Sequence, residues 1–561
     1  MGHTKSHLPA VERLRGGAWI GGAVVVVAAL AVRLVGLDHT PHMDELYHFM
    51  AGGSLLEDGS LRLSPDGGEY TRARLFTWLV AGSMRVFGEG LAQARLPSVL
   101  AGALLAGAVF VAVRSYADPL AAWIAAALVA LAPTDLYLSQ SARFYTVHAL
   151  MVWTAAVAVF ALASRPERWD RRAAAYAVGA VTALAVAYHL QISTALAAAA
   201  IGLAALPVAI YTLRAKLPTA PRWTWALAAL VVVALASWVW LGGLGERFAR
   251  AYSAPSAVVV GRDPSPRFYY DYFARLYGGA WSLLPLLAAL ALIRRPRFAA
   301  YLAVMAGAAL LAVSFSAWRH ERYVYFALPA AYALAAIGAS TLIGWTHGAL
   351  AALLERGKAT RERRSLALGL TVVAVLGWAA FAAPSVDAVS YTYRMLTVDD
   401  GEWWLGGHYR GEADWELAAD SGLAEEAERA AVIVATSPHK ATYALGGLDF
   451  VLLGRAVDRR GGLAAEPTRD RQWNRPEVAS AAAVQAIMAC NPSGMIVAER
   501  REWRRPEGVS DAAADLIEAT ARSIALSPAT RMVAYAWDAP ARGATPPAGW
   551  ACTADGGIAR R

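Results

Sequence analysis

The stretch "TPHMDELYHFMAGGSLLEDG", residues 40–59, follows directly on the first strongly apolar segment of the chain, and it places two adjacent carboxylates, Asp44 and Glu45, among His42, Tyr47 and His48. Charged and imidazole groups so placed mark the point where a chain has just left a bilayer. The rest of the sequence supplies the bilayer. Its 561 residues are 57% hydrophobic and 17% charged, with a mean hydropathy of +0.38, far more apolar than a soluble globular chain. Segments of about 20 apolar residues, the length a helix needs to cross the hydrocarbon layer, recur through the first two thirds. This is the pattern of a polytopic membrane protein.

Eleven spans are expected, near 17–36, 97–113, 119–134, 143–163, 173–188, 190–213, 223–243, 278–293, 299–315, 322–344 and 365–383. The run 173–213 is almost unbroken and divides at Tyr188, His189, Leu190 and Gln191. Alternate spans are joined by basic loops. These carry Arg165, Arg168, Arg171 and Arg172; Arg214, Lys216 and Arg222; Arg294, Arg295 and Arg297; and Arg356, Lys358, Arg361, Arg363 and Arg364. With Lys5, Arg13 and Arg15 of the N-terminus they fall on one side, which the positive-inside rule assigns to the cytoplasm. The net charge of +9 then needs no nucleic-acid partner. Because "RLVGLDHTPH" shows no small-x-small cleavage site, the first segment is expected to stay as a helix.

The outer loops are unequal, and function is sought where they are long. The first covers residues 38–96, another covers 245–278, and a tail runs over 384–561, leaving 1–383 as the membrane domain. In the tail "AAVIVATSP", "LDFVLLG", "SGMIVAER" and "MVAYAWD" read as strands. "PEVASAAAVQAIMAC" and "SDAAADLIEATARSIAL" read as amphipathic helices, so a small α/β domain on the outer face is expected. The two cysteines, Cys490 and Cys552, both lie there, as a disulfide or as two thiols. In the first loop "DELYHFMAGGSLLEDG" and "RLFTWLVAGSMRVFGEG" have apolar residues at helical spacing but are too short and too charged to span, which predicts two helices along the membrane surface. There Asp44 and Glu45 either cap the following helix or take part in chemistry.

Beyond these patterns, "RLVGLDHTPHMDELYHFMAGGSLLEDG", "GGEYTRARLFTWLVAGSMRVFGEGLAQARLPSVLAG", "LSQSARFYTVHAL" and "ERYVYFALPAAYAL" resemble landmarks of membrane glycosyltransferases with the GT-C fold. The nearest likeness is to the protein O-mannosyltransferases and the lipid A aminoarabinose transferases. It covers residues 33–163 well and the tenth span moderately, with the acidic pair followed by "ARLPSVLAG" as its specific combination. The resemblance implies a GT-C domain with an extracytoplasmic α/β tail. It also implies inverting transfer of a hexosyl or pentosyl group from a polyprenyl phosphate carrier to an acceptor outside the cytoplasmic membrane. An acceptor protein, a lipid-linked glycan and a cell-wall polysaccharide all stay open, and the Ala-, Arg- and Gly-rich composition points to a bacterial inner membrane.

Inverting transfer to a hydroxyl needs a carboxylate for the acceptor's proton and cations for the departing phosphate. Asp44 stands at the family's first-loop acid and is the candidate base, with Glu45 as helper or cap. Candidate phosphate-binding residues are Arg72, Arg74, Arg143, Arg319, His320 and Arg322, although an arginine at a span end is equally an interfacial anchor. Glu69 and Tyr70 match a Glu-Tyr of the aminoarabinose transferases, but the Lys-Pro-Pro-Leu motif that follows in that family is missing, which argues against an aminoarabinose donor. Asp135, Tyr137 and Tyr145 are further candidates for contact with substrate, and "GRDPSPRFYYDYFARLYGG" for a lid or an aromatic belt. Asp44 and His48 at i, i+4, with His42 and Glu45, offer a divalent cation a place, against which capping by the histidines is the simpler reading. A transporter or flippase of lipid-linked sugars is the alternative class; the charges gather at span ends and no internal repeat shows, which favours interfacial chemistry.

Overall fold

The computed structural model describes residues 17–39, 41–164, 170–213, 265–316, 319–355, 365, 369, 371–372, 413–470, 472–538 and 545–560. The chain divides into two units. One comprises Met1–Val35, Pro97–Gln140 and Phe144–Thr397; the other comprises Gly36–Leu96, Ser141–Arg143 and Val398–Arg561. The first outer loop thus groups with the tail and not with the spans that flank it in sequence.

In the first unit lie α1 (Gly17–Arg33), most of α4 (Leu91–Tyr116), α5 (Pro119–Leu131), α6 (Pro133–Ser139), α7 (Tyr145–Ala163), α8 (Arg171–Leu190) and α9 (Thr194–Leu213), followed by the helices Phe268–Tyr277, Leu284–Arg294, Pro296–Ser314 and Leu328–Glu355. Among the described residues six helices are long and apolar enough to cross a membrane, or seven if α5 and α6, bent by 55°, form one broken span. The division at Gln191 follows from its extended backbone, which ends α8. Eleven spans are not established. The first and eighth expected segments give shorter apolar helices, Gly17–Arg33 and Leu284–Arg294. The seventh, most of the eleventh, residues 245–264 of the long loop, and the basic loops at 165–168, 214–222 and 356–364 lie outside the described residues, as do Lys5, Arg13 and Arg15.

The bend between α5 and α6 has a cause in the sequence. Pro133 has no N–H to give the Val129 carbonyl four residues earlier. The buried guanidinium of Arg33 takes that place, donating from Nη2 to Val129 O (2.8 Å) and from Nη1 to Ala130 O (3.0 Å). An arginine that by position reads as an interfacial anchor is therefore the cap of a broken helix.

In the second unit α2 (Met43–Glu57) and α3 (Arg74–Phe87) pack together, the two short helices expected of the first loop. The buried face of α3 is Phe76, Thr77, Val80, Ala81 and Met84. Its other side exposes Trp78, Leu79, Val86 and Phe87, an apolar surface unlike that of a helix in water.

The tail forms a seven-stranded sheet of order β3-β4-β2-β1-β5-β7-β6, with β1 (Ile433–Ala435), β2 (Phe450–Leu452), β4 (Pro476–Val478) and β5 (Gly494–Glu499) parallel. Antiparallel β3 (Thr468–Arg469), β6 (Arg522–Ile524) and β7 (Met532–Trp537) complete it. Strands buried on both faces read as continuous apolar runs, as "VIVA" and "MIVA" do. Val434, Leu452, Ile496 and Val478 point to one face with Ile487 and Ile517; Ala435, Val451 and Val497 point to the other with Trp415 and Leu423. The two expected helices are shorter than the sequence suggested, Ala481–Cys490 and Asp511–Thr520, because "PEV" before the first and "RSI" after the second enter the sheet as β4 and β6. Cys490 and Cys552 are disulfide-bonded, which fastens the terminal hairpin of β8 (Trp550–Cys552) and β9 (Ile558–Arg560) to the end of the helix Ala481–Cys490.

Candidate active site

The site is built on the first turn of α2. His42 is its N-cap: its Nδ1 accepts from the Asp44 N–H (3.1 Å), while its own N–H donates to Glu45 Oε1 (2.7 Å), a reciprocal capping box. Glu45 does more than cap. Its side chain is fully buried, and Arg95 donates to it from Nε (2.9 Å to Oε2) and Nη2 (2.8 Å to Oε1) in a forked pair. The Ala142 N–H adds a bond to Oε2 at 2.9 Å. Arg95 Nη1 in turn donates to the carbonyls of Leu37 (2.6 Å) and His39 (2.8 Å).

Burial alone would raise the Glu45 carboxyl, but the Arg95 guanidinium reverses this and holds it at about 2. Glu45 is therefore a permanently ionised strut with both oxygens engaged. Of the two expectations for Glu45, helper or cap, the structure shows the cap, with its carboxylate committed to four N–H groups.

Asp44 differs in each of these respects. Its side chain is 21% exposed against none for Glu45. The Arg143 guanidinium lies beside it: Nη2 is 3.8 Å from Oδ2, and Nη1 donates to the Asp44 carbonyl at 2.7 Å. Glu45 explains the pairing. By binding the Ala142 N–H it ties the turn before α7 to the start of α2, and the neighbouring residues, Arg143 and Asp44, then meet.

Tyr70 is buried, stacks on Tyr47 (centroids 5.2 Å apart, planes 10° apart) and accepts from Arg143 Nη1 at 3.3 Å, so it steadies the guanidinium. His48 is fully buried, edge-on to Tyr70 and Phe76, with Nδ1 2.9 Å from Thr77 Oγ1. Burial first, then Arg143 and Arg72, push its imidazole well below its ordinary value, so it is neutral at physiological pH. Among the described residues no group of three or more His, Cys, Asp or Glu could hold a metal ion, and His42 and His48 are occupied as a cap and as a partner of Thr77.

The other first-loop candidates lie at the surface. Arg72 is exposed, and Ala73, in left-handed backbone with φ of 50°, turns the chain between it and α3. Arg74 pairs with Glu69 at 3.5 Å, both more than half exposed, so two residues expected to grip different parts of a donor are partners of each other.

Asp135, Tyr137, Tyr145, Arg319, His320 and Arg322 belong to the first unit. Asp135, expected to contact substrate, is wholly enclosed in this structure, and the hydroxyls of Tyr325 (2.9 Å) and Tyr332 (3.1 Å) donate to its two oxygens. Tyr145 is likewise a core side chain against Phe144, and Tyr137 is half-buried. Arg319 is buried over the Phe268 ring (5.1 Å), and Arg322 lies by the Tyr323 ring (5.4 Å). His320 Nδ1 lies 2.9 Å from Glu321 Oε2, which also accepts from the Tyr272 hydroxyl at 2.8 Å. Thus the helix Phe268–Tyr277, read as a lid or an aromatic belt, packs against the "RHERY" segment. Sequence reasoning missed Arg95 and Glu321. Arg95 lay inside the quoted landmark "ARLPSVLAG", and Glu321 stood between the named cations.

The family model for dolichyl-phosphate-mannose-protein mannosyltransferases matches residues 71–240. No curated protein matches the sequence. Among solved structures the chain is similar to ArnT from Cupriavidus metallidurans in the apo state, with a TM-score of 0.57 and 18% identity over 93% of this chain and 98% of that one. The same protein bound to undecaprenyl phosphate gives 0.57 and 18% over 92% and 97%. The archaeal oligosaccharyltransferase AglB from Archaeoglobus fulgidus, in complex with an inhibitory peptide and a dolichol-phosphate, gives 0.55 and 11% over 94% and 75%. A multi-pass chain with an α/β tail, matched over nearly its whole length by these structures, carries the fold of the GT-C membrane glycosyltransferases.

Proposed function

We propose that the protein transfers a sugar from a polyprenyl phosphate carrier to a hydroxyl-bearing acceptor at the outer face of the bacterial cytoplasmic membrane, with inversion at the anomeric carbon. The observation that carries this reading is the meeting of Asp44 and Arg143, an accessible carboxylate with a guanidinium 3.8 Å away. The acceptor hydroxyl gives its proton to the Asp44 carboxylate as its oxygen bonds to the anomeric carbon. The bond from that carbon to the phosphate oxygen breaks on the opposite face, and the polyprenyl phosphate leaves with the electron pair. Arg143 stabilises the growing negative charge on the phosphate. Arg72, exposed nearby in the loop, is a second cation for it, and Arg319, His320 and Arg322 of the other unit are phosphate-binding candidates in their own right. The undecaprenyl phosphate bound to ArnT and the dolichol-phosphate in complex with AglB support the donor class.

Two measurements test the reading. Mass spectrometry of lipid copurifying with the protein should find a polyprenyl phospho-sugar, and Asp44→Asn should then lose product formation while keeping that lipid. A mutant with normal turnover would remove Asp44 as the base.

A further inference from the structure

Trp473 is a tail residue by sequence, in the loop between β3 and β4, yet it packs in neither face of the tail sheet. It is 1% exposed, and its core belongs to the first loop: Ala51, Leu61, Leu63 and Tyr70, with Tyr47, Met50 and Leu55 around them. The backbone is shaped to deliver it. Asp470 Oδ1 accepts from the N–H groups of Gln472 (2.6 Å) and Trp473 (2.8 Å), a tight turn that presents the indole. Gln472 O accepts from the Gly68 N–H at 2.8 Å, and Arg475 pairs with Asp66 at 3.5 Å. A Cβ on Gly67 would stand 2.8 Å from that same Gln472 oxygen, so the close approach requires glycine there. A second tail element joins in: His439, at the start of the helix Pro438–Leu445, has its ring 5.8 Å from that of Tyr47 and 6.2 Å from that of Trp473.

Both members of the Asp44–Arg143 pair are one contact from this cluster. Tyr47 lies one helical turn after Asp44 on α2, and Tyr70, stacked on Tyr47, accepts from Arg143. We propose that Trp473 is a positioning residue: its insertion into the first loop sets α2 and Tyr70, and through them the geometry of Asp44 and Arg143, so that turnover depends on docking of the tail. The proposal rests on Asp44 being the base.

The test uses the full chain in lipid nanodiscs. Trp473→Ala, and independently Gly67→Ala, should speed amide exchange in residues 46–51 of α2. They should lower kcat for undecaprenyl phospho-mannose, read as released undecaprenyl phosphate, by up to about 100-fold, as expected for a catalytic group displaced by about 1 Å. Affinity for undecaprenyl phosphate should fall less than kcat does, since Arg143 is displaced and not removed, and Trp473→Phe should restore most of kcat, because an aromatic ring refills the pocket. Ile487→Ala, a cavity in the tail's own core, separates docking from general tail stability and should leave kcat unchanged.

The proposal is overturned if exchange in α2 is unchanged in both docking variants. It is also overturned if Trp473→Ala lowers kcat no more than Ile487→Ala, or if the loss lies in lipid affinity alone. Normal turnover in Asp44→Asn would count against the functional reading, and no turnover of this donor by the wild type would count against mannose as the sugar. In that event the exchange measurement still decides whether Trp473 orders α2.

Discussion

Replacing Glu45 by Gln tests the strut beneath the site. The Glu45 carboxyl sits at about 2 in the folded protein against an ordinary 4.5. A folded value depressed in this way contributes stability that is fully present above 4.5 and is lost as pH falls toward 2, because in that window the unfolded chain binds the proton more readily. The depression is equivalent to about 3 kcal/mol, and removing one partner of a buried ion pair costs about 3–5 kcal/mol by experience elsewhere, so the two routes agree. Glu45→Gln at pH 7 should thus raise local opening of α2 by roughly 100-fold, measured as faster amide exchange in residues 46–51, and the gap from wild type should close as pH approaches 2. The double variant Glu45→Gln/Arg95→Met should exchange more slowly than the single one, since it leaves no uncompensated guanidinium. Unchanged exchange in Glu45→Gln at pH 7, or a double variant no better than the single, would refute the strut.

Further outcomes follow from neighbouring residues. Asp44→Asn should lower transfer by about 10²–10⁴-fold, the range for loss of a general base, with the thermal midpoint unchanged; retained turnover would remove Asp44 from proton transfer. Arg143→Ala should weaken undecaprenyl phosphate binding roughly 10- to 100-fold and also lower kcat, because Arg143 holds the Asp44 carbonyl as well; a change in neither, by binding assay and kinetics, would leave it a structural contact. Burial, with Arg95 assisting, pushes His39 down to about 4 from an ordinary 6.5. The unfolded chain then binds more protons between those values, and stability falls as pH drops from 6.5 toward 4. His39→Asn should flatten that part of a thermal-midpoint profile, and an unaltered profile would show that His39 does not govern it.

What was legible in the sequence divides along physical lines. Apolar runs of span length announce themselves, and so do the short helices of the first loop, whose periodicity is local. The two β strands hidden beside the tail helices were not legible, because "PEV" and "RSI" are too short to carry a period and join the sheet only through neighbours distant in the chain. The same distinction governs the site. His42, Asp44 and Glu45 lie within one helical turn and were read together, but the partner that settles the role of Glu45, Arg95, is 50 residues away. Asp135, two residues after Pro133, was read as a contact for substrate. Proline also starts helices, however, and the tyrosines that enclose the carboxylate come from positions 325 and 332. Trp473, in the polar stretch "RDRQWNRPEV", gave no signal at all, since nothing local distinguishes an indole that docks elsewhere from one in a loop.

The unit that contains the Asp44–Arg143 pair is assembled from three separate lengths of chain, 36–96, 141–143 and 398–561. Its assembly during synthesis is therefore late. Trp473 follows Arg143 by 330 residues, which at roughly 5–20 residues per second is about 20 to 60 s of translation. Until then the cluster around Tyr47 and Tyr70 lacks its central ring, and the loop that carries Asp44 waits at the membrane with its apolar pocket unfilled. The nascent protein should accordingly be inactive and sensitive to protease between residues 36 and 96 through most of its synthesis, becoming resistant only when the tail has folded.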